Sequence, residues 1–224
     1  MEAPLYLDAL NGLPGVKAGW VGRIAGLPVE VDRDQAMCRL RSFHEESVKA
    51  AYGKSIWWRA EQVHGSGVAV VPTANLWMAG DGMPVVPGVD GLLTAGPGEV
   101  LGIYVADCGA IWMADRGSGA VGLLHSGKKG TELEILGVAV ERMKREFGTR
   151  PEDLVVVLGP CIRPPDYEID FAAEIGRQAL AAGVGHFEDC RQNTAGDPEG
   201  CYSYRMEKGK TGRMLALIAG GCGA

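Results

Sequence analysis

The spacing of apolar and polar positions divides the 224-residue chain into many short strands and a few helices. Three apolar runs, Val100–Ala106, Ala110–Ala114 and Ala120–Leu124, follow one another closely. The turn Asp115-Arg116-Gly117-Ser118-Gly119 predicts a hairpin between the last two. Leu154–Leu158 is an uninterrupted apolar stretch, which predicts a buried central strand. Two further runs flank the sequence QVHG within residues 56–72, and Asp90–Thr94 starts a short strand. Asp34–Tyr52 carries Met37, Leu40, Phe43, Val48 and Ala51 near a 3.6-residue period and closes on Gly53, which predicts a helix. Thr131 and Glu134 have the form of a capping box and predict a helix running to Phe147, with Gly148 as the stop. A third helix is expected over Asp170–Ala182, ended by Gly183.

Elsewhere the pattern is weaker. Residues 1–33 are broken by Gly and Pro and predict irregular strands and turns. Thr73–Val89 reads as a long surface loop able to act as a lid, and residues 185–204 as polar and irregular. Thr211–Ile218 reads as a last helix or strand before a flexible AGGCGA tail. Strands and helices mix without strict βαβ alternation. That favours an α+β fold with mixed sheets, in one domain spanning residues 1–224.

A net charge of −6 argues against nucleic acid or an anionic membrane surface as the main partner. No apolar run approaches the ~20 residues of a membrane span. The stretch MEAPLYLDALNGLPG lacks the basic start and apolar core of a secretory signal, so a cytoplasmic location is expected. In that setting Cys38, Cys108, Cys161, Cys190, Cys201 and Cys222 are expected as reduced thiols or metal ligands, and no CxxC pair indicates a structural zinc finger. The four histidines, His44, His64, His125 and His186, are too few for a trinuclear copper cluster, although a single copper site fits.

His64, Cys108 and His125 each stand where an apolar run meets a glycine-containing turn. A Cys-His-His set leaves one tetrahedral position open, as in a catalytic zinc site, and it also suits copper. Spacing alone equally allows a separate buried thiol and two core histidines, because the three lie 44 and 17 residues apart. Asp107 is a candidate acceptor for a ligand histidine. The turn Ser126–Gly130, with Lys128 and Lys129 before the expected Thr131 cap, is a candidate anion site. A metal-free alternative makes Cys108 a nucleophile with His125 as its base, in a thiol hydrolase or deamidase.

The motifs QVHGSGVAVV (62–71), DGLLT (90–94), ADC (106–108), HSGKKGT (125–131), GPCI (159–162) and SYRMEKGKTGRM (203–214) occur in this order. Together they resemble the bacterial laccase-domain family, also called polyphenol oxidase or purine nucleoside phosphorylase family. The resemblance implies a four-layer α/β/β/α sandwich with mixed sheets, similar to the catalytic domain of cytotoxic necrotising factors. It implies a zinc or copper site on His64, Cys108 and His125, phosphorolysis of purine nucleosides with phosphate, and adenosine deamination. It further makes Arg23, in GWVGR, and Arg39 candidate substrate or phosphate contacts. The chain departs from the family pattern where HAGWRG is replaced by HSGKKG, and where the loop after GPCI reads RPPDYEI. These departures leave open a protein that binds the metal with altered or lost catalysis.

Overall fold

The computed structural model describes residues 3–221, so Cys222 and the end of the AGGCGA segment lie outside the described residues. After a 3-10 turn at Leu5–Leu7 come α1 (Asp8–Asn11), β1 (Lys17–Val21) and α2 (Arg33–Tyr52). Next are β2 (Trp58–Ala60), β3 (Val68–Val70), β4 (Trp77–Met78), β5 (Pro84–Val86) and β6 (Gly91–Thr94). They are followed by β7 (Val100–Val105), β8 (Gly109–Asp115), β9 (Val121–Ser126), α3 (Lys128–Glu132) and α4 (Ile135–Phe147). β10 (Leu154–Leu158), α5 (Phe171–Ala181), β11 (His186–Asp189) and β12 (Met214–Ala219) complete the order. The fold is α+β with two mixed six-stranded sheets, ordered β1-β12-β7-β2-β5-β4 and β11-β10-β8-β9-β6-β3.

The uninterrupted apolar runs have a physical reason. Alternate residues of a strand point to opposite faces, so a strand buried on both sides reads as continuous apolar sequence. Ala110, Trp112 and Ala114 of β8 join the apolar cluster shared by the two sheets, while Ile111 and Met113 join the cluster beneath α4 and α5. Met214, Ala216 and Ile218 of β12 face the shared cluster, and Leu215 and Leu217 pack with Val48 of α2. Trp112 ties the sheets together. It is fully buried, its indole N–H donates to the Leu217 carbonyl at 2.9 Å, and a side chain at Gly159 would collide with its ring.

The helices end where expected. Asp32 caps α2 through the Gln35 N–H, and Gly53 closes it with φ 65°. Asp170 caps α5 through the Ala173 N–H. Four expectations need correction. The LYLDAL segment is helical rather than strand-like, because Leu7 and Leu10, three apart, are both fully buried. Thr73–Val89 is not a lid: Val85 and Val86 are buried, and β5 pairs with β2 and β4. Residues 185–204 contain β11, which pairs in parallel with β10. Finally, Thr131 caps no helix. It lies inside α3, and the chain breaks at Glu134, with φ 55°, before α4 begins.

The inward face of α2 is Ala36, Leu40, His44 and Val48: Leu40 and Val48 are buried as expected, but His44 points inward where Phe43 was expected, and Phe43 is exposed. His44 is therefore buried, with neither ring nitrogen hydrogen-bonded, against the Tyr104 ring at 5.5 Å. Burial lowers its pKa from 6.5 to about 4. As pH falls, the unfolded chain takes up this proton before the folded one does. The stabilisation is thus complete above pH 6.5 and lost progressively down to about pH 4, by about 3 kcal/mol. Urea unfolding of His44→Leu should show a shallower loss of stability over that interval than the parent. Equal slopes would mean that His44 is not held neutral.

Candidate metal centre

The site is assembled by register. β8 pairs with β9 so that Gly109 stands opposite Ser126, which brings Cys108 beside Gly127. A Cβ at Gly127 would lie 2.6 Å from the Cys108 sulfur, so only glycine leaves room for the thiol. β6 pairs with β9 and sets Gly91 opposite Leu124, which puts Asp90 next to His125. His64 comes from the loop between β2 and β3, with φ 60°, a left-handed conformation unusual outside glycine.

Asp90 holds these pieces together. Its carboxylate accepts the backbone N–H groups of Val63, His64 and Gly65 at 3.2, 2.9 and 2.7 Å. Its Oδ1 also lies 2.8 Å from Nδ1 of His125, and its carbonyl accepts the His125 N–H at 2.7 Å. Asp90 is fully buried. Burial pushes its pKa up, but hydrogen bonds from His125, Gly65 and His64 outweigh this and hold it below the usual carboxylate value. With the Nδ1 proton directed at Asp90, Nε2 is the free donor atom of His125.

The ligand atoms of His64, Cys108 and His125 all lie within 4.8 Å of one another, and the two imidazoles meet edge to face at 4.8 Å. No other group of three His, Cys, Asp or Glu side chains among the described residues converges in this way. Burial alone would raise the Cys108 thiol, but hydrogen bonds to His125 and His64 pull it down to about 6. Burial would likewise lower His125, yet Asp90 and Cys108 raise it to about 9. A soft thiolate between two imidazoles, with a carboxylate behind one of them, fits a zinc or copper ion.

The three side chains open into a cavity of about 740 Å³. Lys128 and Lys129 line it, both exposed. Arg23 and Arg39 do not. Arg23 is paired with Glu207 at 3.0 Å and stacks on Tyr202, while Arg39 donates to the Pro28 carbonyl at 2.7 Å. Asp107 lines the cavity but bonds neither imidazole, because its oxygens accept from the Thr194 hydroxyl and the Arg205 N–H, each at 2.7 Å. Thr131 offers no free helix terminus. Its N–H bonds the Gly127 carbonyl, and its hydroxyl pairs with Ser126 at 2.9 Å.

Sequence reasoning missed Asp90, behind the ligands, and four cations that line the cavity, Arg33, Arg205, Lys208 and Arg213. The signal was present, because DGLLT and SYRMEKGKTGRM contain all of these except Arg33. Arg213 donates only to the Thr211 and Gly212 carbonyls and stacks near Tyr204, with no carboxylate partner among the described residues. Burial lowers its pKa, and the neighbouring Arg33 lowers it further.

Comparison with known proteins bears directly on this geometry. The family model described as multi-copper polyphenol oxidoreductase laccase matches residues 26–175 and 167–220. The chain belongs to this family. Purine nucleoside phosphorylase YlmD of Geobacillus stearothermophilus is 30% identical over a 254-residue alignment covering 96% of this chain and 92% of that protein. A purine nucleoside phosphorylase of Deinococcus radiodurans is 33% identical over 186 residues, covering 71% and 68%. The crystal structure of YlmD from Geobacillus stearothermophilus superposes with a TM-score of 0.75 at 28% identity, covering 92% of each chain. That of Bacillus licheniformis YfiH gives 0.76 at 22% identity, covering 91% of this chain and 92% of that one, which speaks to the fold. The family description names several coppers, yet the described residues of this member bring together one three-ligand cluster.

Replacing Asp90 tests the centre. Asp90→Asn keeps the shape but weakens four hydrogen bonds, so zinc affinity in a competition titration should fall by about 10- to 100-fold. Unchanged affinity would show that the carboxylate does not organise the ligands.

Proposed function

We propose that the protein is a metal-dependent purine nucleoside phosphorylase that also deaminates adenosine, with zinc on His64, Cys108 and His125. The observation that carries this reading is the joint opening into one cavity of the three-ligand cluster and Arg213, a guanidinium with no carboxylate partner among the described residues. The names of the relatives supply the substrate class. Copper is the other ion that the donor set accepts. A bound zinc would act as a Lewis acid and lower the pKa of a coordinated water or hydroxyl group toward ~7.

The side chains have separable tasks. Asp90 orients His125 and fixes the His64 loop. Arg213 and Arg33 hold phosphate by charge-assisted hydrogen bonds and offset its negative charge as it approaches the ribose. In phosphorolysis a phosphate oxygen bonds to C1′, the bond from C1′ to the base nitrogen breaks, and the proton on phosphate passes to the departing base. In deamination water adds at C6 of adenosine and ammonia leaves. Tyr167, Phe171 and Tyr204 supply aromatic surface in the same cavity on which a purine can pack.

One observation favours a second reading. Without metal, Cys108, His125 and Asp90 form a row in which the thiol is depressed to about 6, an arrangement suited to nucleophilic catalysis. Fast alkylation of Cys108 in chelator-treated protein, together with hydrolysis of an amide or ester substrate, would support it.

The leading reading is tested with purified protein and phosphate, using inosine for phosphorolysis and adenosine for ammonia release. We expect about one zinc per chain, release of hypoxanthine and ribose 1-phosphate, and loss of both activities on chelation. Arg213→Met should raise the KM for phosphate at least about tenfold while leaving the zinc content intact. Zinc-loaded protein that releases neither base nor ammonia would overturn the proposal.

A further inference from the structure

The charge of the main cavity exceeds what its proposed reaction needs. Arg33, Lys128, Lys129, Arg205, Lys208 and Arg213 line it, and Asp107 is the one carboxylate among the lining residues. The chain as a whole carries −6, so this concentration runs against the composition. Two of the cations have local partners: Arg205 is paired with Glu168, and Lys128 reaches Glu132 at 4.0 Å. Arg33, Lys129, Lys208 and Arg213 have no carboxylate partner among the described residues. Asp107 forms an ion pair with none of these four: its oxygens accept from Thr194 and Arg205, and it reaches Arg213 only through its charge.

A nucleoside is neutral, and one phosphate dianion is matched by two guanidinium groups. Arg33 and Arg213, which line the same cavity, suffice for that. Lys129 and Lys208 remain. They belong to different elements of the cavity wall. Lys129 lies on α3, four residues beyond His125, and Lys208 on the loop before β12. Like charges gathered in a concave site repel one another, and an anionic ligand relieves that repulsion. Lys129 stands where the family pattern HAGWRG has arginine, so a mobile ammonium point charge replaces a planar fork. An ammonium group tolerates many geometries, which suits a phosphate carried on a flexible 5′ arm.

We infer that the preferred substrate is a purine nucleoside that already bears a phosphate, a nucleoside monophosphate, whose phosphate is held by Lys129 and Lys208. The inference rests on the phosphorylase reading for the reaction itself. In the balanced step, inorganic phosphate bonds through oxygen to C1′ while the bond from C1′ to the base breaks. The base leaves with the proton of the attacking phosphate, and the sugar product carries phosphates on both C1 and C5.

Two measurements on the zinc-loaded full chain separate this inference from the reading beneath it. Equilibrium dialysis with inosine and with inosine 5′-monophosphate, without free phosphate, should show the monophosphate bound at least about tenfold more tightly. That advantage should shrink at high salt. Lys129→Ala with Lys208→Ala should bring the ratio of the two affinities close to one, and because both side chains are exposed the fold should persist, as checked by thermal melting. Equal affinities in the parent, or a ratio unmoved by the double substitution, would overturn the inference. Turnover is scored separately. Phosphorolysis of inosine with no preference for the monophosphate leaves the phosphorylase reading standing and removes this one. Tight binding of the monophosphate without turnover of either compound keeps the ligand class and removes the reaction.

Discussion

One buried carboxylate carries the geometry of the site. Asp90 meets three consecutive backbone N–H groups of the His64 loop and the ring of His125 at once. A buried carboxylate left without partners would be costly, and so would the left-handed backbone at His64 without support. Each penalty is offset by the other: the loop satisfies the charge, and the charge holds the loop. His64 comes from a loop with little regular structure, and this contact gives it the positional precision of a strand residue. One sheet contributes the rest, by placing Asp90, Cys108 and His125 at the ends of its neighbouring strands β6, β8 and β9.

The cavity beyond the ligands has a different character. Its walls come from α2, α3, the segment around Tyr167 and the loop before β12, and most of its charged groups are cationic. Ligand identity and cavity charge are therefore set by separate parts of the chain. Substitutions can change what the cavity accepts without disturbing the sulfur and imidazole donors. The replacement of HAGWRG by HSGKKG is a change of this kind, since it leaves His125 and Gly127 in place.

Much of this was legible in the sequence. Strands buried on both faces announce themselves as apolar runs, so β7 to β10 were readable, and so were the glycine-closed ends of α2 and α4. The three metal-ligand candidates stood out because thiol and imidazole groups at glycine turns are chemically conspicuous. Asp90 did not, because an aspartate before a glycine reads as a turn residue until its partners are known. Arg23 and Arg39 were misplaced for the converse reason. A guanidinium serves an ion pair or a carbonyl as readily as a ligand, and only tertiary structure shows which. The Thr131 capping box failed because local pattern lost to packing: Thr131 and Ser126 are both buried, and their mutual hydrogen bond draws the helix start back to Lys128.

The position of β12 has a consequence for how the chain reaches this structure. The last strand of the described residues lies between β1 and β7, two strands formed from much earlier sequence. During synthesis both must wait with open edges until residues 214–219 emerge, and neither is the other's partner. Exposed edges of this kind invite pairing with other chains. The delay falls on a sheet whose closing contacts join residues 17–21 to residues 215–219, and such non-local pairing is slow to form. Vectorial synthesis thus leaves a window in which those edges of β1 and β7 stay unpaired in the nascent chain, and a frameshift shortly before Met214 would make that window permanent.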